Sequence, residues 1–357
     1  MADRSRFIAL AGGSFDRLVD QARGDPHRLA ALAGMALWSG HEARAYELAR
    51  EARALAPDDA ELRSKTQRPL TDKVPKWHFS IVRDEARNRA YDEALRRAVG
   101  PETRVLDIGA GTGLLAMMAA RAGAGTVVSC EMNPAVADAA REIVALNGFA
   151  DRLTVVAKAS NDVDPEADMG GRADLLVQEI VANDLVGEYA LPAIEDAARR
   201  LLKPGARMIP SGGAAVVALA FWPGLEAARL RDVDGFDVSP FNRLAHVPYH
   251  LKAGDPQLAL RSDAAVLFDF DFASGGPFPA ERTSVELTAQ GPANGVAQWI
   301  RLQMDAEGVY ENRPAPGLQS CWAILFTPLD PAREAAAGER VVVHASHDTG
   351  RLRVWAS

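Results

Sequence analysis

A buried strand that runs into a glycine-rich turn constrains the fold of this chain more than any other segment. Val105–Ile108 is an apolar run broken only by Asp107, and Gly109, Gly111 and Gly113 follow it at once. Glycines in such a turn let the backbone bend tightly and bring its N–H groups close to a ligand. The pattern therefore predicts a helix after the turn and a nucleotide-like ligand beside it.

Strand and helix patterns alternate from residue 103 to residue 210. Short apolar strands separated by helices are typical of a parallel sheet covered on both faces, with ligands beyond the carboxyl ends of the strands. The predicted strands are Arg104–Ile108, Thr126–Cys130, Leu153–Ala157, Ala173–Glu179 and Ala206–Pro210, and the predicted helices are Gly113–Arg121, Pro134–Leu146 and Glu188–Leu202. This α/β pattern predicts a doubly wound, Rossmann-like domain.

The amino-terminal region, residues 1–65, is alanine-rich and helical. Its small-residue spacing predicts two helices, Arg28–Ser39 and Glu42–Leu55, and approximates one tetratricopeptide-type hairpin. An ordinary helical hairpin explains the spacing equally well. The prolines of Arg68-Pro69 and Val74-Pro75 predict a linker after this hairpin.

After Pro210 the pattern changes to short strands separated by Gly, Pro and Asp turns. These strands predict a mostly antiparallel, β-barrel-like domain. They are Ala215–Phe221, Ala265–Phe272, Thr283–Thr288, Ala297–Met304, Cys321–Thr327 and Arg340–His344. The sequence thus predicts three domains: a helical segment at 1–65, a cofactor domain at 66–210 and a β domain at 211–357.

Charge and composition limit the classes of function. The net charge of −8 argues against a general nucleic-acid binder or a basic membrane-surface protein. The two cysteines, Cys130 and Cys321, lie far apart in the sequence, so they form no disulfide framework or zinc spacing and fit a reducing compartment. Residues 1–10 lack a signal-peptide core, and no apolar run is long enough to span a bilayer. These features predict a cytoplasmic protein without nucleic-acid or membrane partners.

The spacing of the glycines indicates the kind of cofactor. A dinucleotide fingerprint needs its third glycine at position 114, where Leu114 stands. S-adenosylmethionine has an amino-acid end and no pyrophosphate, so it suits the turn better, and dinucleotide binding is the weaker alternative. Asp107 can face the ammonium side of that cofactor. Glu131, which closes the second predicted strand, can accept hydrogen bonds from ribose hydroxyls.

Asn161 and Asp162 follow the third predicted strand and are candidates for contacts with the adenine edge. The ordinary polarity of a loop explains these two residues nearly as well. His344 and His347 lie near Asp348, but a strand followed by a turn explains them more simply than metal binding does. The sequence therefore predicts no metal site.

Two glutamates follow the fourth predicted strand. Glu179 ends that strand, and the short loop Ile180–Gly187 separates it from Glu188. The chain can double back over this loop and bring both carboxylates to one pocket. Because a planar guanidinium pairs bidentately with carboxylates, the two acids predict an arginine-like acceptor. The loop also lacks the Asn/Asp-Pro-Pro-aromatic sequence typical of methyltransferases that act on amides or adenine amines.

With these motifs in register, the sequence resembles the protein arginine methyltransferase family. It is most similar to the branch with tandem catalytic modules, one subgroup of which carries tetratricopeptide repeats, although this chain has a single module. The resemblance covers roughly residues 75–357. Its motifs are Trp77–Phe79 with Asp84–Tyr91, the Val105–Gly113 turn, the double-glutamate loop with Leu191-Pro192, and His344–Asp348.

The resemblance implies roles for individual residues. Arg87 would hold the carboxylate of S-adenosylmethionine, and His78 would close over the site. Glu179 and Glu188 would clamp the arginine guanidinium of a protein or peptide substrate. Taken without the resemblance, Arg87 reads equally as surface charge on an amphipathic helix, and His78 as a structural histidine.

The sequence departs from the family at two places. The family's Thr-His-Trp loop is replaced by Pro316–Trp322, and no histidine occurs between His250 and His344. This leaves two alternatives open, a methyltransferase for another small or basic acceptor and a non-catalytic protein that docks through its helical hairpin. Leu225–Pro256 reads as loops with one short helical stretch rather than as a helical dimerisation arm. The related tandem proteins pair two modules in one chain, and because this chain has one module, the sequence leaves a homodimer open.

Overall fold

The computed structural model describes residues 14–329 and 334–357 and divides into two compact units. The first unit comprises the chain up to Lys76 together with Asn133–Val136. Its described helices are α1 (Ser14–Ala22), α2 (Pro26–Trp38), α3 (Glu42–Leu55) and α4 (Ala60–Thr71). The predicted helical hairpin corresponds to α2 and α3. Residues 1–13 of the predicted amino-terminal domain lie outside the described part.

Two helices of the first unit, α2 and α4, begin at side-chain caps. The carboxylate of Asp25 accepts hydrogen bonds from two N–H groups at the start of α2, and Asp59 accepts one from Leu62 N at the start of α4. The prediction of a linker at Arg68-Pro69 is wrong, because α4 continues through Pro69. Leu62 on α4 is fully buried in the core that it shares with α2 and α3, and this packing offsets the cost of a proline in the helix.

The second unit begins with α5 (His78–Ile81) and α6 (Glu85–Ala98), which precede a five-stranded parallel sheet. The elements that follow in the chain are β1 (Arg104–Ile108), α7 (Leu114–Arg121), β2 (Thr126–Cys130), α8 (Pro134–Leu146), β3 (Leu153–Val156), β4 (Ala173–Gln178), α9 (Ala190–Arg200) and β5 (Leu202–Ile209), and all but the first three residues of α8 belong to the second unit. The strand order is β3-β2-β1-β4-β5. The order reverses between β1 and β4, and such a reversal opens a ligand crevice at the carboxyl ends of these two strands. The predicted Rossmann-like architecture is confirmed.

The rest of the second unit is antiparallel. Its elements are β6 (Gly212–Phe221), α10 (Gly224–Ala228), β7 (Asp232–Val233), β8 (Phe236–Asp237), β9 (Tyr249–Leu251), β10 (Ala259–Leu260), β11 (Ala265–Asp271), β12 (Glu281–Thr288), β13 (Gly295–Gln303), β14 (Val309–Glu311), β15 (Ile324–Pro328), β16 (Arg340–His347) and β17 (Leu352–Ala356). One sheet has the path β10-β6-β13-β15-β9, with β11 on β6 and β14 on β13, and a second has the order β12-β16-β17. The predicted barrel-like second part is thus present.

The parallel sheet and the antiparallel strands share one hydrophobic core. Leu106 of β1, Val217 of β6 and Ile300 of β13 are fully buried members of the same apolar cluster. Burial of apolar surface favours folding in proportion to the area removed from water, so a continuous core fixes the two parts against each other. Within the described residues, every helix is too short or too polar to span a membrane.

Candidate active site

The glycine turn after β1 has the conformation that its sequence predicts. Gly109, Gly111 and Gly113 have φ values of 86°, 51° and 75°, a region that favours glycine. A Cβ at Gly109 would stand 2.9 Å from Cγ2 of Ile180, so the turn also lies against the loop that follows β4. The N–H groups of Gly109 and Ala110 both donate to the carbonyl of Cys130 at 3.0 Å. These bonds fix the turn to the end of β2.

Two acids lie beside this turn. Asp107 is fully buried, and its Oδ2 accepts a hydrogen bond from Ser129 Oγ at 2.6 Å. Its Oδ1 is buried with no hydrogen-bond partner among the described residues. Burial raises the pKa of Asp107 to about 7, although the Ser129 bond lowers it. Glu131 accepts a hydrogen bond from Gly111 N at 3.1 Å. An ammonium group fits the free oxygen of Asp107, which is the contact predicted for S-adenosylmethionine.

The other predicted cofactor residues lie at the same end of the sheet. His78 is half-buried, and its Nδ1 would lie 3.8 Å from a Cβ placed on Gly111, so the imidazole covers the turn. Burial lowers the pKa of His78 and so favours the neutral imidazole. The negative charge of Glu131 acts in the opposite direction and is the smaller effect. Asn161 and Asp162 form an exposed 3₁₀ turn after β3. Their contact with adenine stays a prediction.

Arg87 lies on the buried face of α6 and pairs with Glu179. Its Nη2 donates to Glu179 Oε2 at 2.8 Å, and both side chains are 5% exposed. The guanidinium also lies 4.9 Å from the centroid of the Tyr91 ring. Burial opposes the charge on Arg87, but Glu179 keeps the pKa of Arg87 above its ordinary value. The alternative interpretation of Arg87 as plain surface charge is therefore wrong.

One nitrogen of Arg87 is left for another partner. Its Nε is buried and has no hydrogen-bond partner in the described part of the chain. A buried donor without a partner costs about 1–3 kcal/mol, so such a group marks a place for an acceptor. A cofactor carboxylate supplies that acceptor. The predicted role of Arg87 is therefore compatible with its position, and the bond to Glu179 adds a second role.

The double-glutamate loop doubles back beyond the carboxyl end of β4. The pKa of Glu179 is raised to about 7, and burial is the largest cause. The charge of Arg87 acts in the opposite direction, and the charge of Glu188 adds a smaller increase. Glu188 is an exposed residue whose carboxyl group is partly buried, and that burial and the charge of Asp184 raise its pKa. Among the described residues Glu188 has no hydrogen-bond or ion-pair partner. The loop thus brings Glu188 within electrostatic range of Glu179, which is paired to Arg87, and leaves Glu188 without a hydrogen-bond or ion-pair partner among the described residues.

The backbone of this loop is held in an unusual conformation. Leu185 and Tyr189 have φ values of 78° and 59°, which non-glycine residues rarely adopt. Asp184 fixes the loop, since its Oδ1 accepts from Gly187 N at 2.7 Å and its Oδ2 from Leu352 N at 3.1 Å. Backbone of this kind persists only where surrounding contacts impose it, and it is concentrated at functional sites.

Asp84 is a part of the site that the sequence motifs did not assign. It caps α6 by accepting from Arg87 N at 2.9 Å through Oδ1. Its Oδ2 accepts from Tyr310 OH and from Cys321 N, both at 2.9 Å. Asp84 therefore connects the helix that carries Arg87 to the β domain. Its capping role was readable from an aspartate before a helix, but its two distant donors were not.

The segment that departs from the family's Thr-His-Trp sequence still packs against the glutamate loop. Trp322 Nε1 donates to the carbonyl of Val181 at 2.7 Å, and Ala323 N donates to Asn183 Oδ1 at 2.7 Å. Trp322 and Ala323 thus border the glutamate loop, although the segment lacks the family's Thr-His-Trp sequence.

Comparison with known proteins agrees with this geometry. The family model of ribosomal protein L11 methyltransferase matches residues 92–214. An arginine N(omega)-methyltransferase of Streptomyces achromogenes subsp. streptozoticus is 38% identical over 344 residues, which cover 93% of each chain. The chain belongs to the arginine N-methyltransferase family.

Two further matches are a longer relative and a solved structure. Protein arginine N-methyltransferase 7 of Danio rerio is 31% identical over 305 residues, which are 76% of this chain and 44% of that protein. The chain therefore spans less than half the length of this relative. A solved structure of a Trypanosoma brucei PRMT1 enzyme-prozyme heterotetrameric complex with AdoHcy has a TM-score of 0.64 at 24% identity. The match covers 75% of this chain and 86% of that chain, and it supports the fold of a parallel-sheet domain followed by an antiparallel β part.

Proposed function

We propose that this protein transfers a methyl group from S-adenosylmethionine to a guanidinium nitrogen of arginine in a protein or peptide. The observation that carries this proposal is the double-glutamate loop. Glu179 follows β4 at the crevice between β1 and β4, and Glu188 lies within electrostatic range of it. Two carboxylates match the fork of a guanidinium and place it next to the cofactor.

Residues on α5, α6 and β1 and in the loop after β2 would hold the cofactor. Asp107 and Arg87 have buried polar atoms without partners among the described residues, one an acceptor and one a donor. They suit the ammonium and the carboxylate of an amino-acid group. Glu131 and His78 border the turn and suit the ribose side and the cover of the site. This assignment of site residues is part of the proposal.

The chemistry requires a positioned and activated guanidinium. S-adenosylmethionine supplies the methyl group as a sulfonium electrophile. Arginine keeps its proton at neutral pH, so the protein cannot rely on a deprotonated nucleophile in water. Glu179 and Glu188 hold the positive charge on the other nitrogens and leave the reacting nitrogen richer in electrons. A carboxylate also accepts the proton that this nitrogen loses as its bond to carbon forms.

A second candidate acceptor is free arginine or another small guanidine. The relative that matches 93% of this chain is named an arginine N(omega)-methyltransferase, whereas the relative from Danio rerio is named a protein arginine N-methyltransferase. Both acceptors present the same guanidinium to Glu179 and Glu188. The two candidates differ only in what surrounds that group.

A panel of acceptors tests the proposal. We expect label from methyl-labelled S-adenosylmethionine to appear on arginine residues of arginine-rich peptides, with product mass increased by one or more methyl groups. Free arginine, agmatine and the same peptides with lysine in place of arginine serve as comparisons. Label on free arginine alone would favour the small-acceptor candidate. Calorimetry with S-adenosylhomocysteine that detects no binding would favour a non-catalytic docking protein.

The segment between β6 and β9 supports a homodimer as part of the proposal. It contains the short helix α10 and a 3₁₀ helix, Ser239–Leu244, where the sequence predicted one short helical stretch, and it exposes large apolar side chains. Patches of this kind mark protein interaction sites. The exposed residues are Leu230, Val233, Phe236, Phe241, Leu244 and Val247.

Charged substitutions in this segment test the homodimer. Phe236 and Phe241 are 72% and 61% exposed, so Phe236→Asp with Phe241→Asp should leave the fold intact and convert a dimer to a monomer. Light scattering after size-exclusion chromatography measures the mass of each form. Leu146→Asp, at an exposed position on α8, is the matched control and should keep the mass of the unaltered protein. A monomeric unaltered protein would contradict the proposal.

The proposal includes three further assignments. They are the division into domains at 65/66 and 210/211, the tetratricopeptide-like character of the amino-terminal helices and the cytoplasmic location.

A further inference from the structure

A large cavity adjoins the double-glutamate loop on the side of the β domain. Its volume is about 940 Å³. Pockets for small ligands measure about 300–1,000 Å³, so this one is at the upper end of that range. It lies between the loop after β4, the strands β13 and β15, and the hairpin of β16 and β17. A single arginine side chain held by two carboxylates does not need this much space.

One wall of the cavity is the free edge of a sheet. β17 is the last strand of the sheet β12-β16-β17, and Leu352, Arg353 and Val354 line the cavity. Leu352 N donates to Asp184 Oδ2, so this N–H points away from β16. Because the backbone of a strand repeats every two residues, the N–H and C=O of Val354 also point away from β16. Unpaired groups on an edge strand are a template for another strand.

A second wall carries a buried amide without a partner. Gln298 on β13 lines the cavity, is 3% exposed and pairs in register with Leu325, another lining residue. Its Nε2 is buried and has no hydrogen-bond partner within the described residues. Its neighbours on the same face of β13, Val296 and Ile300, belong to the apolar core. A polar side chain at such a position is costly unless it meets an acceptor, and a ligand carbonyl supplies one.

The cavity reaches the chain on both sides of Glu188. Gly187 and Tyr189, on either side of Glu188, both line it. The Tyr189 ring lies over the hairpin turn, since a Cβ on Gly350 would stand 2.8 Å from its Cε1. An arginine that reaches Glu188 from the cavity therefore leaves its own main chain between the loop and the β17 edge.

We propose that this cavity binds the acceptor as an extended peptide that adds a strand to β17 and turns its arginine toward Glu188. In this arrangement the peptide backbone pairs with the N–H and C=O of Val354, and one peptide carbonyl accepts from Gln298. Strand addition takes its affinity from main-chain hydrogen bonds and its specificity from alternate side chains. This inference rests on the proposed function, because it assumes that arginine is the acceptor. A free amino acid has too few main-chain groups to use the edge.

Substrates with altered backbones test the proposal without changing the protein. Nα-acetylarginine methylamide is compared with peptides of three, five and seven residues centred on one arginine. We expect kcat/KM to rise by about tenfold or more up to five residues, since each added hydrogen bond contributes about 1 kcal/mol. In the five-residue peptide, N-methylation at alternate positions should lower kcat/KM about fivefold or more, and at the positions between them it should have little effect.

A protein variant provides an independent readout. Gln298→Leu removes the amide from the wall and should raise KM for the five-residue peptide about fivefold to tenfold, and it should raise KM for Nα-acetylarginine methylamide by a smaller factor. Gln303→Leu, at an exposed position on the same strand, is the matched control. Equal kcat/KM for free arginine and all peptides, or an N-methylation pattern without period two, would overturn strand addition and leave arginine methylation intact. If no arginine compound accepts a methyl group, the proposed function and this inference both fail.

Discussion

Glu188→Gln is expected to lower kcat by about 30-fold to 900-fold, the loss that corresponds to about 2–4 kcal/mol of transition-state stabilisation. Glutamine keeps the shape of the side chain and removes the charge that holds the guanidinium. Because Glu188 has no hydrogen-bond or ion-pair partner among the described residues, the variant should retain its stability and its affinity for S-adenosylhomocysteine. Single-turnover rates, calorimetry and thermal unfolding measure these three quantities.

Glu179→Gln should lose turnover to a similar extent but differ in stability. Glu179 pairs with Arg87 at 2.8 Å, and both side chains are 5% exposed. Removing one charge of a buried pair leaves the other uncompensated and costs about 3–5 kcal/mol. We therefore expect a lower melting temperature for Glu179→Gln than for Glu188→Gln.

A matched control separates these effects from a general loss of charge. Glu142→Gln changes an exposed glutamate on α8 and should leave kcat and melting temperature unchanged. Unchanged turnover in both Glu179→Gln and Glu188→Gln would remove the assignment of the two acids as the guanidinium clamp.

Sequence reasoning located the parallel sheet accurately because its signals are local. β1, β2 and α8 have the predicted bounds. The apolar run of β1 ends at the glycine turn, that of β2 ends before an acid, and α8 begins at a proline. The short strands β9, β10, β14 and β17 were missed. Each of them is only two to five residues long, and β9 and β10 also pair with strands that are far away in the sequence.

The site was predicted only in part for the same reason. Asp107 lies near the end of β1, and the turn glycines and Glu131 follow strand ends, so local pattern and topology were sufficient to place them. The pairing of Arg87 with Glu179 and of Asp84 with Tyr310 joins residues that are 92 and 226 positions apart. No local pattern specifies such pairs. The β17 edge and Gln298 depend in addition on how the β domain packs against the glutamate loop.

Arg87→Gln is expected to shift the acid limb of the pH profile to higher pH. Burial holds the pKa of Glu179 at about 7, although the charge of Arg87 lowers it. In the unaltered protein kcat/KM for the acceptor should therefore fall below pH 7 as Glu179 takes up a proton. Without Arg87 the pKa of Glu179 should rise by about one to three units, the usual effect of a nearby opposite charge. Activity at pH 7 then falls and recovers in part at pH 9.

The same variant should change stability in a direction that follows from the proton balance. The pKa of Glu179 is about 7 in the folded protein, against an ordinary value of 4.5. Between these values the folded protein binds the extra proton, so its contribution to the free energy of unfolding decreases as pH rises from 4.5 to 7. In Arg87→Gln that decrease should extend above pH 7. Chemical unfolding at a series of pH values measures it.

The profile is measured at saturating S-adenosylmethionine, because Asp107 also has a pKa of about 7 and its charge would otherwise affect cofactor binding. When S-adenosylmethionine is saturating, protonation of Asp107 no longer changes the rate, so the acid limb reflects protonation of Glu179. The affinity for S-adenosylhomocysteine should fall about 10-fold to 100-fold in Arg87→Gln, as for loss of a hydrogen bond to a charged group. Arg89→Gln, on the exposed face of α6, should change neither the profile nor the affinity. Because Arg87 and Glu179 form an ion pair at 2.8 Å, the loss of Arg87 must change the pKa of Glu179. If the acid limb does not move in Arg87→Gln, a group other than Glu179 sets that limb.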